Sequence, residues 1–154
     1  MSAKALVITL ILATTAAPLA AQARKEIVPL PGASNPSLSA VVKVGDMLYL
    51  SGQLGTVPGQ GLAEGGIAAE TRQTLENIKR TLEAAGSAME RVIKCTVFLA
   101  DIADFRAMNA VYREFFPAEP PARSTVAVAG LVANARIEIE CMALAVVGQF
   151  ECNG

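Results

Sequence analysis

The sequence predicts an α+β fold: a ββαβαββ sandwich in which two helices cover one face of a single mixed sheet. Short apolar runs rich in β-branched residues are interleaved with two longer segments of helical period. Turn and cap residues punctuate the joins. The pattern runs from Ala40 to Val147 with no internal repeat, which places one domain in the chain.

Two apolar runs, Ala40–Val44 and Met47–Ser51, flank Gly45-Asp46, a two-residue connection of hairpin type. Gly52 to Gly66 is glycine-rich, lacks alternation and reads as a loop, the segment where mobility is expected. From Ile67 to Ala85, Ile67, Thr71, Leu75, Ile78, Leu82 and Ala85 recur at helical spacing, and Gly86 stands where a left-handed cap belongs. Val92 to Ala100 reads as a buried strand. A second helix spans Asp104 to Phe116, capped by Asp101 or Asp104, with Phe105, Met108, Tyr112 and Phe115 as its stripe. Pro117, Pro120 and Pro121 end it. Strands Ser124–Ala129 and Arg136–Val147, joined at Ala133-Asn134, close the domain.

The start of the chain has a different character. Lys4 precedes an apolar stretch from Ala5 to Ala17, Pro18 interrupts it, and Ala21-Gln22-Ala23 supplies a small-x-small site. This reads as a secretory leader over residues 1–23, then a coil lead-in over 24–35 and the domain over 36–150. An uncleaved anchor is the alternative, since no charge falls between Ala5 and Ala23. Pro18 and the cleavage pattern favour removal, so the expectation is an exported, periplasmic protein with no stable membrane insertion.

Composition excludes several chemistries. The chain has no histidine, which removes imidazole bases, Ser-His-Asp triads and His-ligated zinc. A formal net charge of −1 leaves no basic stripe for a phosphate backbone, so no nucleic-acid partner is expected. Cys95, Cys141 and Cys152 lack metal or redox-pair spacing. Cys95 and Cys141 lie in apolar runs and read as buried small hydrophobes. A Cys141–Cys152 bridge is conceivable in an exported chain.

Alternation groups the side chains of the last two strands: Arg123 and Thr125 share a face, and so do Glu138 and Glu140. If the helices cover Val126, Val128, Ile137 and Ile139, then Arg123, Thr125 and Glu138 lie together on the uncovered face.

Several blocks in order resemble the RidA family: Met47-Leu48-Tyr49-Leu50-Ser51-Gly52-Gln53, Thr71 to Ile78, Thr96-Val97-Phe98-Leu99, and Met108-Asn109-Ala110-Val111-Tyr112. Phe115-Phe116-Pro117 follows, and the most specific block is Pro121-Ala122-Arg123-Ser124-Thr125-Val126, with Ile137-Glu138-Ile139-Glu140 after it. The resemblance implies a chorismate-mutase-like homotrimer with sites between subunits. It also implies hydrolysis of 2-imino or 2-enamino acids, such as 2-iminopropanoate, to 2-keto acids.

The chemistry suits these residues. A guanidinium fork pairs both oxygens of a substrate carboxylate, which makes Arg123 the anchor. Glu138 can position water and relay a proton, with Thr125 beside the anchor as the third catalytic candidate. Ser51, Gly52, Leu38 and Asn109 are the further substrate-binding candidates, with capping or structural hydrogen bonding the expected role of Asn109. Thr125 stands where family members commonly carry cysteine, and Leu38 where they commonly carry an aromatic residue. Neither a metal nor an organic cofactor is called for. A non-catalytic binder of small carboxylates is the alternative.

Overall fold

The computed structural model describes residues 23–30 and 36–146. All of the predicted leader but Ala23, residues 31–35 and the C-terminal segment with Cys152 lie outside the described residues.

Lys25–Ile27 forms β1, Val41–Val44 β2 and Met47–Leu50 β3. β2 and β3 make the expected hairpin, and Gly45 takes the left-handed φ of 58° that its turn requires. The lead-in, expected as coil, contributes β1, which pairs antiparallel to β2. A three-residue Lys-Glu-Ile strand has no alternation to read, and its partner lies across a proline-bearing gap.

The glycine-rich segment also holds more structure than a loop. Gln53–Leu54 (β4) joins the main sheet, and Thr56–Val57 (β5) pairs with Gly61–Leu62 (β6). The helix Ile67–Ala84 (α1) pins it, because the Asn77 side-chain amide donates to the carbonyls of Leu54 and Thr56 at 2.8 and 3.0 Å. Packing here is close: a Cβ on Gly55 would stand 2.6 Å from the main-chain oxygen of Glu70.

α1 buries the predicted stripe. Leu75, Ile78 and Leu82 are fully buried, each stabilising the fold by roughly 1.5–3 kcal/mol. The helix stops at a Schellman arrangement, with Ser87 N–H donating to Leu82 O at 2.8 Å and Gly86 N–H to Glu83 O at 3.1 Å. Val92–Leu99 (β7), the helix Phe105–Phe115 (α2), Ala122–Ala127 (β8) and Ile137–Leu144 (β9) complete the fold. The sheet order is β1-β2-β3-β9-β7-β8, with β4 also on β9. β7 and β8 run parallel and the other neighbours antiparallel, so the sheet is mixed, and both helices contribute to one core against one face.

The helix N-terminal ends are tied to the sheet by Arg136. Its guanidinium donates twice to the buried Asp104 carboxylate, at 2.8 and 3.0 Å, and its main-chain N–H donates to the Glu70 carboxylate at 2.8 Å. Asp104 therefore serves this clamp and gives α2 no side-chain cap, while Asp101 caps the single tight turn Ile102–Asp104 that leads into α2, accepting from Ala103 N–H at 2.9 Å.

Cys95 and Cys141 are buried as expected, yet they are bonded to each other as a disulfide. They face one another across β7 and β9, with Cα atoms 4.1 Å apart. Register brings together residues 46 apart in sequence, which spacing alone cannot reveal.

Candidate active site

The register of β8 corrects the expected arrangement of the site. Arg123, Thr125 and Ala127 stand beside Cys95, Val97 and Leu99 of β7, whose side chains are buried under the helices. Neighbouring residues in register point to the same face, so Arg123 and Thr125 lie on the helix side at the sheet edge. Val126, expected in the core, is 44% exposed. Glu138 alternates with buried Ile137 and Ile139 and so points to the open face. The three catalytic candidates are thus divided between two faces rather than gathered on one.

On the helix side, α2 presents Phe105, Asn109 and Tyr112, at i, i+4 and i+7, to Arg123. The guanidinium carbon lies 4.5 Å from the centre of the Tyr112 ring and 5.8 Å from that of Phe105. One guanidinium nitrogen donates to Asn109 Oδ1 at 2.7 Å. Asn109, a substrate-binding candidate for which structural hydrogen bonding was the expected role, thus holds the Arg123 guanidinium.

Tyr112 was legible only as core stripe. Its ring packs 4.8 Å from that of Phe116, and its hydroxyl is buried without a hydrogen-bond partner. Burial pushes the phenol up to about 12 although the Arg123 charge pulls it down, so the ring stays neutral beside the guanidinium. The Thr125 hydroxyl is likewise buried and unpartnered. In this conformation it is sealed from a ligand, and Thr125 can act only through its main chain.

On the open face, Glu138 lies against Gly52. A Cβ built there would stand 2.8 Å from Glu138 Cδ and 3.0 Å from Cγ, so a side chain at this position would displace the carboxylate. Close approach of the Glu138 side chain is the reason for glycine here. The Ser51 hydroxyl donates to the Ser39 carbonyl at 2.7 Å, and its N–H donates to the Ala40 carbonyl at 3.0 Å. Ser51 thereby secures the segment bearing Leu38, which is 52% exposed. Leu38, Ser51 and Val42 help line a shallow concavity of about 370 Å³.

Arg123 and Glu138 sit two strands apart, roughly 10 Å across the sheet, and three residues out of level along it. Their backbones are thus about 14 Å apart and their side chains on opposite faces. One small acid cannot touch both within one chain. Among the described residues no group of three or more His, Cys, Asp or Glu side chains could hold a metal ion.

The family model described as Endoribonuclease L-PSP matches residues 31–145. Reactive Intermediate Deaminase A, chloroplastic, of Arabidopsis thaliana is 41% identical over 128 residues, 80% of this chain and 68% of its own length. The chain belongs to the RidA family. A human relative, 2-iminobutanoate/2-iminopropanoate deaminase, shares 44% identity over 115 residues, 74% of this RidA-family chain and 83% of its own. The RidA-family sandwich also superposes on the crystal structure of E. coli TdcF with bound serine. That match has a TM-score of 0.70 at 36% identity and covers 79% of this chain and 99% of the other.

Proposed function

We propose that this RidA-family protein hydrolyses 2-imino and 2-enamino acids to 2-keto acids and ammonia. The observation that carries the reading is the Arg123 guanidinium, held by Asn109 and stacked on Tyr112 with part of its fork free. Such a fork binds a carboxylate in one orientation. The printed names of the relatives and the serine bound to TdcF support a ligand of amino-acid size.

With the carboxylate held, water attacks the imine carbon. Glu138 orients the water and takes its proton as the C–O bond forms, giving a carbinolamine. That proton passes to nitrogen, the hydroxyl returns its own proton to Glu138 as the C–N bond breaks, ammonia leaves and the carbonyl forms. An enamine first takes a proton at its β-carbon. No covalent nucleophile is needed, because the protonated imine carbon is already electrophilic.

The separation of Arg123 from Glu138 supports a site completed by a second copy, Arg123 of one subunit facing Gly52 and Glu138 of the next. The homotrimer implied by the family resemblance supplies such an arrangement. Exposed Tyr49, Val126, Met142 and Leu144 on the open face suit burial in that assembly. Export by the leader is part of the proposal, and the Cys95–Cys141 disulfide supports it, since such bonds persist in oxidising compartments. Intact Met1 on cytoplasmic protein, found by mass spectrometry after fractionation, would overturn export.

The test is hydrolysis of freshly generated 2-iminopropanoate by wild type, Arg123→Ala and Glu138→Gln, each variant alone and then refolded together. Each alone is expected to be slow, and the mixed assembly to recover activity. Wild-type rates in Arg123→Ala would remove the reading, and failure of the mixture to recover would remove the shared site. A binder without turnover would equally keep Arg123, but Glu138 seated on Gly52 favours catalysis.

A further inference from the structure

Arginine is a poor anchor unless its long side chain is restrained, because a ligand must otherwise order its many rotamers on binding. The surroundings of Arg123 supply three restraints from one helix. Phe105 flanks the guanidinium at 5.8 Å, Asn109 accepts from it at 2.7 Å, and Tyr112 lies 4.5 Å from its central carbon. Tyr112 is the fixed member. It is 3% exposed and packs against Phe116, which is 7% exposed. Its hydroxyl meets no partner, so no hydrogen bond of the phenol accounts for its place. Asn109 and Phe105 are more exposed and are the movable sides.

We propose that Tyr112 is a positioning residue: its ring, not its hydroxyl, sets the plane of the Arg123 guanidinium and thereby the affinity for a substrate carboxylate. A cation over an aromatic face is attracted to the negative face of the ring and retains its hydrogen-bonding edge. Asn109 accepts at one corner of that edge and prevents rotation within the plane. The ligand then meets a fork with its orientation already set, and less ordering entropy opposes binding.

The inference rests on Arg123 as carboxylate anchor, and equilibrium binding separates it from the proposal of turnover. The probe is 2-oxobutanoate, titrated calorimetrically into wild type, Arg123→Ala, Tyr112→Phe and Tyr112→Leu. Tyr112→Phe is expected to match wild type within about twofold, and Tyr112→Leu to weaken binding roughly tenfold, the range of a partly desolvated cation–π contact. Rescue by phenylalanine assigns the effect to the ring. Equal loss in both variants, or none in Tyr112→Leu, would overturn the inference, as would unchanged binding in Arg123→Ala. If Tyr112→Leu does not fold, Asn109→Ala frees the same guanidinium from its exposed side and is expected to weaken binding severalfold. Unchanged affinity there, or a weakened Tyr112→Phe, would overturn the inference. Absent imine turnover with Tyr112-dependent binding would remove the enzymatic reading and leave this one standing.

Discussion

Two glycines three residues apart separate catalysis from stability. A Cβ at position 52 would stand 2.8 Å from Glu138 Cδ, where carbon atoms ordinarily rest at about 3.5–4.0 Å. Gly52→Ala must therefore move the carboxylate by about 1 Å. Glu138 is half-buried and flexible at its end, so the fold is expected to lose less than about 0.5 kcal/mol. A misplacement of about 1 Å in a catalytic group costs on the order of 10²-fold in rate. At position 55 a Cβ would meet the backbone of α1, 2.6 Å from Glu70 O and 2.8 Å from its Cα, and backbone has no rotamer by which to withdraw. Gly55→Ala is expected to destabilise by roughly 1–3 kcal/mol. The assays are kcat/KM on 2-iminopropanoate and urea unfolding at one protein concentration. Wild-type kcat/KM in Gly52→Ala, or equal destabilisation of both variants, would refute the placement of Glu138.

Two further outcomes follow from buried groups. The Cys95–Cys141 bond closes a loop of 46 residues, for which chain entropy gives about 4 kcal/mol, so reductant is expected to lower the guanidinium midpoint sharply. Thiol titration of denatured exported protein should find one thiol before reduction and three after, and three from the outset would contradict the bond. Thr125→Val removes a buried unpartnered hydroxyl at constant shape and is expected to stabilise by about 1 kcal/mol, read in urea; a loss would mean that the hydroxyl has a partner.

What could be read from the sequence was local. The Gly45-Asp46 hairpin, α1 and its Gly86 cap, and α2 ended by Pro117 each depend on residues within a few positions. The Ala133-Asn134 turn was legible for the same reason, and both residues take φ of 56°. Alternation correctly grouped Arg123 with Thr125 and Glu138 with Glu140. It could not say which group meets the helices, because that depends on pairing Arg123 with Cys95, 28 positions earlier in the chain. The disulfide was hidden by the same non-local register, and β1 by its brevity. Tyr112 looked like core and is core; its second role exists only because β8 lays an arginine over it.

The register that separated Arg123 from Glu138 also gives Arg123 its support. Shifted by one residue, β8 would turn Arg123 to the open face, on the side of Glu138, and away from Phe105, Asn109 and Tyr112. Set opposite Thr96, the guanidinium would stand level with Glu140 of β9, with no aromatic floor to orient its fork and a glutamate of its own chain competing for it. With the observed register, Glu138 cannot neutralise the anchor of its own chain, and the fork remains open to a ligand's carboxylate. On the proposed reading, the group that orders water and the group that holds the substrate meet only when two copies pack together. Assembly is then a condition of activity, and a variant that weakens subunit association should lose turnover while its individual subunits keep their fold.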